Sequence, residues 1–456
     1  MTVLSCTRRI VMPWTTALLL AGSSAAQGSW DKITGDVNPP GGWQFSMAHD
    51  QARGVTVLHG DPDFTYEFDG TEWEAVTTPT PYSTDSTSLA YDSARGVMVS
   101  HGGWVSGVTN QTWEYDGTDW TLVSTSGPAT SNAGEIFIRA SMVYDVVTER
   151  MVLFSHSVGT WEYDGAICMW TQTADANKPG PLFSGAMAFD QALGKTILFT
   201  YRTTIPETWS YDGITRTWTR LHPAASPSAR NRMEAEFDSS RGMVVIHGGA
   251  ELMVPVNEET WHYDSQANTW LLDQTTNTLQ RMNASMAYDD QRRRLVLFGG
   301  NSIHHPWEPE DTTWVYTAQV DTNFCQGVPN STLRECRLLS MGPPSLSMNA
   351  FSLRAVDCVP DQPGIFLLGQ SHALVPFGDG FRCVANPVSR LLPAARSNAL
   401  GVASIPLDFT DPLLVIGASA ITSGTAWKFQ YLYRDPFLAG GTGLNLSNGL
   451  SIVFMP

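Results

Sequence analysis

Charged side chains are scarce in this sequence: Asp, Glu, Lys and Arg make up 16% of its 456 residues. Helical bundles and coiled coils are rich in Ala, Glu, Lys and Leu, so the scarcity argues against both. Basic residues are the scarcer sign, 27 against 44 acidic, for a formal net charge of −17. Such a surface repels phosphate backbones and anionic lipid, and nucleic acid is excluded as an expected partner. Cysteine is rare, six in all; neither a CxxC pair nor a His at ligand spacing accompanies it, which argues against zinc. Beyond the N-terminal segment no apolar run approaches ~18 residues, so no transmembrane segment is expected in the mature chain. GxSxG, HExxH, Walker and sialidase-type Asp-box motifs are absent. No catalytic residue, metal or cofactor is therefore assigned from sequence.

Turn formers and aromatics are abundant: 39 Gly, 27 Pro, 16 Trp, 13 Tyr and 19 Phe. That balance predicts an all-β chain of many short strands joined by tight turns. Arg8 and Arg9 precede an apolar run through Ala17, Leu18, Leu19 and Leu20, and Ser24-Ala25-Ala26 offers a small-residue cleavage site before Gln27. Residues 1–26 read as a secretory signal peptide, by the general or the twin-arginine route, which places the mature protein outside the cell, in the periplasm or in the cell envelope. In that setting the C-terminal cysteines, Cys325, Cys336, Cys358 and Cys383, read as two disulfides. Short loops favour Cys325 with Cys336 and Cys358 with Cys383, among three pairings that four cysteines allow.

Six repeats organise the first two thirds. SMAHD ending at Asp50 returns as SLAYD at Asp92, SMVYD at Asp145, AMAFD at Asp190, EAEFD at Asp238 and SMAYD at Asp289. An apolar run follows each, then TYEFDG, TWEYDG, TWEYDG, TWSYDG, TWHYDS or TWVYT, then a lone Trp at 73, 120, 170, 218 and 270. Each unit carries four short segments of alternating polarity, the pattern of a four-stranded antiparallel sheet. Asp-Gly at 69-70, 116-117, 164-165 and 212-213 is expected to supply the positive φ of the hairpin between strands three and four. The sixth unit lacks its spaced Trp, and GSWDKITG around Trp30 is the segment that matches it. Residues 28–35 are therefore expected to close the ring and cover an open edge.

These phrases, SMAYD, LVLFGG, TWVY and a spaced Trp, resemble the kelch repeat shared by kelch proteins and galactose-oxidase-type propellers. The resemblance covers residues 28–319 and implies a six-bladed β-propeller. Residues 320–456 lack the repeat and read as a β-sandwich. Their phrases PFGDGFRC, FQYLYRDP and NLSNGLSIVF are similar to a C-terminal module of planctomycete-type secreted bacterial proteins. The family kinship also raises copper oxidase chemistry, which uses Tyr and His ligands and a Tyr–Cys crosslink. The one cysteine inside the repeats, Cys168, lies beside Met169-Trp170 in a hairpin and is read as a free thiol.

The repeated Asp and the basic residue after it, Arg53, Arg95, Arg150, Lys195, Arg241 and Arg292 or Arg294, occur in every unit and are read as turn structure. His59, His101 and His247 stand where other units have Phe and are read as packing residues. Loops between strands two and three vary most in length, and a rigid scaffold presents such loops for binding. Their candidate binding residues are Trp104, Glu251, Glu258, His304, His305, Trp307, Glu308 and Glu310. Trp beside carboxylates suits stacking on a sugar ring with hydrogen bonds to its hydroxyls. The expected function is a secreted, non-catalytic propeller that binds a carbohydrate or a protein. The alternatives are a propeller-class enzyme, a glycan hydrolase, lyase or oxidase, and a purely structural envelope or adhesion protein. An acid or His cluster converging on the central channel would favour the enzyme.

Overall fold

In a computed structural model the chain is described over residues 28–454, apart from 36, 43–44, 61–63, 78–86, 104–108, 131–139, 174–176, 181–184, 251–255, 274–277, 303–307, 319–321, 342–345, 347–348, 350, 412–413 and 415–419. Among the described residues, no helix is long and apolar enough to cross a membrane. Residues 1–26, read above as a signal peptide, lie outside the described residues.

Between Gly28 and Ala318 the described residues form six four-stranded antiparallel sheets, numbered here as blades 1 to 6. Blade 1 is a simple meander of Ser46–Asp50, Val55–Gly60, Phe64–Phe68 and Trp73–Ala75. Blades 2 to 5 repeat it, with first strands Ser88–Asp92, Ser141–Asp145, Ala186–Asp190 and Glu234–Asp238. Blade 6 takes three strands from Ser285–Asp289, Arg294–Phe298 and Thr313–Ala318. Its fourth is Gly28–Ile33, antiparallel to the third, with Trp30 opposite Tyr316. First strands pack against one another in a closed cycle, blade 6 against blade 1.

Turn chemistry explains the first hairpins. Asp50 Oδ1 accepts the N–H groups of Ala52 and Arg53, each at 3.0 Å, and Gly54 follows at φ 71°. The same side-chain cap recurs at Asp92, Asp145 and Asp238, a local bond that Asp makes readily to the backbone two residues on. The second hairpin corrects the Asp-Gly expectation in part. Gly70 and Gly117 do adopt positive φ, but in blades 3 and 4 the left-handed residues are Cys168 and Arg216, each four residues past the Asp. There the turn is longer, and the Asp again caps it, Asp212 Oδ1 accepting from Ile214 and Thr215 at 3.0 Å.

The ring is tied by one bond per blade. Each fourth-strand Trp donates its indole N–H to the third-strand Thr of the preceding blade: Trp73 to Thr313, Trp120 to Thr65, Trp170 to Thr112, Trp218 to Thr160, Trp270 to Thr208 and Trp30 to Thr260, at 2.8–3.2 Å. Such a buried hydrogen bond contributes about 1 kcal/mol net, and the Trp surface it seats contributes more.

Beyond residue 321 two sheets share one core. The larger is ordered Thr322–Cys325, Gly449–Val453, Ala426–Arg434, Pro363–Gly369, Ser389–Arg390. The smaller contains Arg337–Met341, Phe351–Val356 and Ala403–Leu407. Leu353, Ala355 and Ile405 of the smaller sheet pack with Phe366, Trp427 and Phe429 of the larger. The smaller sheet docks on the turns of blades 4 and 5. Arg354, 1% exposed, donates to Asp264 Oδ1 at 2.5 Å and to the Gly242 carbonyl at 2.6 Å. Asn398 Nδ2 donates to the Ala192 carbonyl at 2.6 Å, and Ala192, Val356 and Val402 form an apolar contact between them.

The two local disulfides do not form. Cys325 is bonded to Cys383, with Cα atoms 6.3 Å apart, while Cys336 and Cys358 are free thiols. Sheet pairing decides this. Cys325 ends a strand paired to the C-terminal one, opposite Gly449, and the Cys383 amide bonds to Gln430 Oε1 of the neighbouring strand at 2.8 Å. Residues 58 apart are thereby brought to bonding distance.

Candidate functional site

The first strands enclose a central cavity of about 220 Å³ to which all six blades contribute. Its lining follows the repeat position by position. The opening Ser of the strand stitches blades together: Ser46, Ser88, Ser141 and Ser285 donate to the carbonyls of Thr87, Ala140, Gly185 and Phe45 at 2.5–2.7 Å. The third position is small, Ala48, Ala90, Val143, Ala188 and Ala287, because six strands crowd the axis.

Blade 5 departs from both rules. Glu234 stands at the Ser position and Glu236 at the Ala position, and both line the cavity. A carboxylate cannot donate the stitching bond, and two residues on along a strand it points to the same side. The third acid is Asp290, one past the turn Asp of blade 6; it accepts from Gln51 Nε2 at 2.7 Å and Ser239 Oγ at 2.5 Å. Burial pushes the Asp290 carboxyl up, with those two bonds and His49 working against it. Glu236 is lifted further, well above the usual carboxylate range, by burial first and then by Glu234 and Asp290. In the protonated form that this environment favours, it offers an O–H donor. Glu236 is half-buried and lines the cavity.

His49, 7% exposed, completes the acid end of the channel. Burial lowers its pKa, so the imidazole is neutral. Its Nδ1 lies 3.0 Å from Thr56 Oγ1; Nε2 makes no hydrogen bond and lies 3.7 Å from Asp289 Oδ1. In blades 2, 3 and 6 the His position is Tyr91, Tyr144 and Tyr288, whose hydroxyls sit beside Asp50, Asp92 and Asp238 of the preceding blade. In blades 4 and 5 it is Phe189 and Phe237, which have no hydroxyl to offer. The Asp residues that precede them suffer accordingly. Asp145 Oδ2 and Asp190 Oδ2 accept no hydrogen bond, and burial raises both carboxyls, Asp190 to about 6. Asp50 shows the contrast: burial works against its charge, yet bonds from Arg53 hold it below the ordinary value.

Of the sequence-predicted binding residues, Trp104, Glu251, His304, His305 and Trp307 lie outside the described residues. Glu258 Oε2 accepts from Gln280 Nε2 at 3.3 Å, and Glu310 pairs with Arg281 at 3.2 Å, so the connection from blade 5 to blade 6 holds both. Glu308 is exposed. Register puts the loops on the Glu234 side of the channel: Glu234 faces His247, Ser88 faces His101 and Ser285 faces Phe298, the last strand residues before those loops.

The three ring histidines pack as Phe would. His59, His101 and His247 lie against Trp120, Trp170 and Trp30, with centroids 4.4–4.9 Å apart. Burial pushes His101 down to about 4 and His247 to about 3, leaving both neutral. Copper does not fit the described residues either. His49 is the one histidine lining the cavity, and no group of three His, Cys, Asp or Glu with metal-holding geometry occurs among them. Cys168 sits in the outer hairpin of blade 3, its thiol 3.8 Å from the Gly165 carbonyl.

The channel acids went unread in the sequence, although EAEFD among five copies of the serine- or alanine-led phrase is the signal that marks them.

No family model matches the chain, and no curated protein matches it. Solved structures similar to it include two of low identity. One, described as the structure of YjhT, shares 12% identity at a TM-score of 0.48 over 62% of this chain and 97% of that one. The other, a fungal alcohol oxidase of the AA5 family in complex with copper, shares 10% identity at a TM-score of 0.42 over 94% of this chain and 100% of that one.

Proposed function

We propose that the chain is an exported six-bladed propeller of kelch type, closed by its N-terminal strand and followed by a β-sandwich, that binds a carbohydrate outside the cell or in its envelope. The observation that carries this reading is the break in the repeat at blade 5, which puts Glu234 and Glu236 on the channel that Asp290 and His49 also line. Sugar hydroxyls both donate and accept, and this site offers both capacities: a protonated Glu236, the acceptor oxygens of Asp290 and Glu234, and the open Nε2 of His49. About 220 Å³ is below the range of drug-sized pockets, which suits one ring or chain end rather than a long glycan. Stacking of a sugar ring on Trp104 or Trp307 would extend the surface.

A glycan array on the purified mature protein, followed by calorimetry on each hit, tests the reading. Glu236→Ala and Glu234→Ala are expected to weaken binding at least tenfold while the protein stays folded. Unchanged affinity in both would sink it. A second reading is favoured by Glu236 itself: a carboxyl that keeps its proton, with a second carboxyl about 7 Å along the strand, is also how acid and base are set apart in glycan-cleaving enzymes. Turnover of a bound glycan that disappears in Glu236→Gln, with binding retained, would decide for the enzyme.

A further inference from the structure

We propose that Cys336 and Cys358 form a second disulfide, which clamps the strand pair that docks the C-terminal domain onto blades 4 and 5. The two thiols are buried in one core, at 0% and 3% exposure, close enough that Cys358 helps raise the Cys336 thiol. Both also act on the same two rings, Tyr431 and Tyr433.

Regular register would keep these cysteines apart. The ladder between Arg337–Met341 and Phe351–Val356 ends at Arg337 opposite Val356, so extending it would set Cys336 opposite Asp357. Cys358 would then point to the other face of the sheet. Asp357 prevents this by adopting φ 57°, a left-handed residue that adds a kink, and Cys358 turns inward beside Cys336. The kink is held on both sides. Asp357 Oδ2 accepts from Arg337 Nη2 and Nε at 2.8 and 3.1 Å, and the Cys358 amide donates to the Gly401 carbonyl at 2.9 Å.

The same strand pair carries the domain contact: Arg337 Nη2 donates to the Ser239 carbonyl at 3.3 Å, and Arg354 bonds to Asp264 and Gly242. A covalent tie one residue from Arg337 would hold both arginines in register against the propeller. With Cys325 and Cys383 already joined, Cys336 and Cys358 are the partners left in this domain.

The step balances through exchange with a disulfide oxidant, either a dithiol oxidase in its disulfide form or oxidised glutathione. Two S–H bonds break and one S–S bond forms. Two electrons and two protons pass to the oxidant, whose own S–S bond opens to two thiols. Burial pushes the Cys336 thiol well above its ordinary range, so the exchange belongs to folding, before the core closes over both sulfurs.

The test uses the whole protein exported to an oxidising compartment, denatured without reductant, alkylated and mapped by mass spectrometry. The expected result is a linked peptide pair containing Cys336 and Cys358, with alkylation at Cys168 alone among the cysteines beyond the leader. Alkylated Cys336 and Cys358 would overturn the proposal, as would a crossed pairing with Cys325 or Cys383. Reductant titration supplies a second readout: two steps are expected for the wild type and one for Cys358→Ala, and a single step in both would also overturn it.

Discussion

Trp30 donates its indole N–H to Thr260 Oγ1 at 3.2 Å, joining residues 230 apart in sequence. It is the sixth of six equivalent bonds, and it differs in one respect: its Trp comes from the opposite end of the repeat region. The Trp30 ring also lies 4.4 Å from His247 and 5.2 Å from Tyr316, so blades 5 and 6 meet on it. The Gly28 amide adds a bond to Asp273 Oδ1 at 3.2 Å, on a carboxylate that His262 and Arg241 also approach.

Ring closure predicts a graded series. Thr260→Val should cost about 2 kcal/mol, because Thr260 Oγ1 is bonded to His247 Nδ1 as well as to Trp30, and Trp30→Ala about 3–5 kcal/mol through the cavity it leaves. Chemical denaturation midpoints measure both, and a Trp30→Ala protein as stable as wild type would show that the N-terminal strand closes nothing.

Domain docking depends on a buried charge. Arg354→Ala leaves Asp264, itself buried, with its partner gone, and should cost about 3–5 kcal/mol. Arg354→Ala combined with Asp264→Ala should cost less than the sum of the single changes, because the orphaned carboxylate is removed with its partner. Additive losses in that cycle would show that the pair is not coupled.

Asp190 sets a pH dependence. Burial raises its folded pKa to about 6 from 3.8, so the folded state binds the proton more tightly than the unfolded chain. Its contribution is complete below the unfolded pKa and is lost as pH rises from about 4 through about 6, by roughly 2–3 kcal/mol in total. Asp190→Asn should flatten the stability curve across that window. Phe237→Tyr should flatten it as well, by supplying the hydroxyl that Tyr288 places beside Asp238. A slope unchanged in both variants would refute the assignment.

Glu236 works in the same direction at higher pH. Its raised carboxyl favours the fold while protonated and stops doing so as pH climbs past the folded pKa. Glu236→Gln keeps the shape and a donor without the titration, so its melting temperature should exceed that of wild type at pH 9 and match it near pH 5. A wild-type advantage at pH 9 would mean that the ionised form is stabilised in the channel.

Short-range chemistry was legible in the sequence. An Asp caps amides two and three residues on, alternation of period two assigns faces, and a Trp recurring in six units marks an interblade contact wherever the units sit. His101 could be read as a packing residue because it stands where other blades hold Phe, and its ring lies against Trp170 as a Phe would. The acids at 234 and 236 were equally visible as letters, but their meaning depends on where the axis of the ring runs.

Sequence alone therefore determined the repeat, the strands, most of the turns and the candidate closing segment, because each follows from contacts within a few residues or from six-fold repetition. Tertiary structure alone decided what converges. Glu234, Glu236 and Asp290 line one cavity because the ring brings first strands of different blades around it. Cys325 reaches Cys383 because strands distant in sequence share a sheet, and Cys336 meets Cys358 because one left-handed residue turns a side chain across a face. Loop length predicts neither, since the entropy of closing a loop grows only slowly with its length and is outweighed by the packing of the sheets.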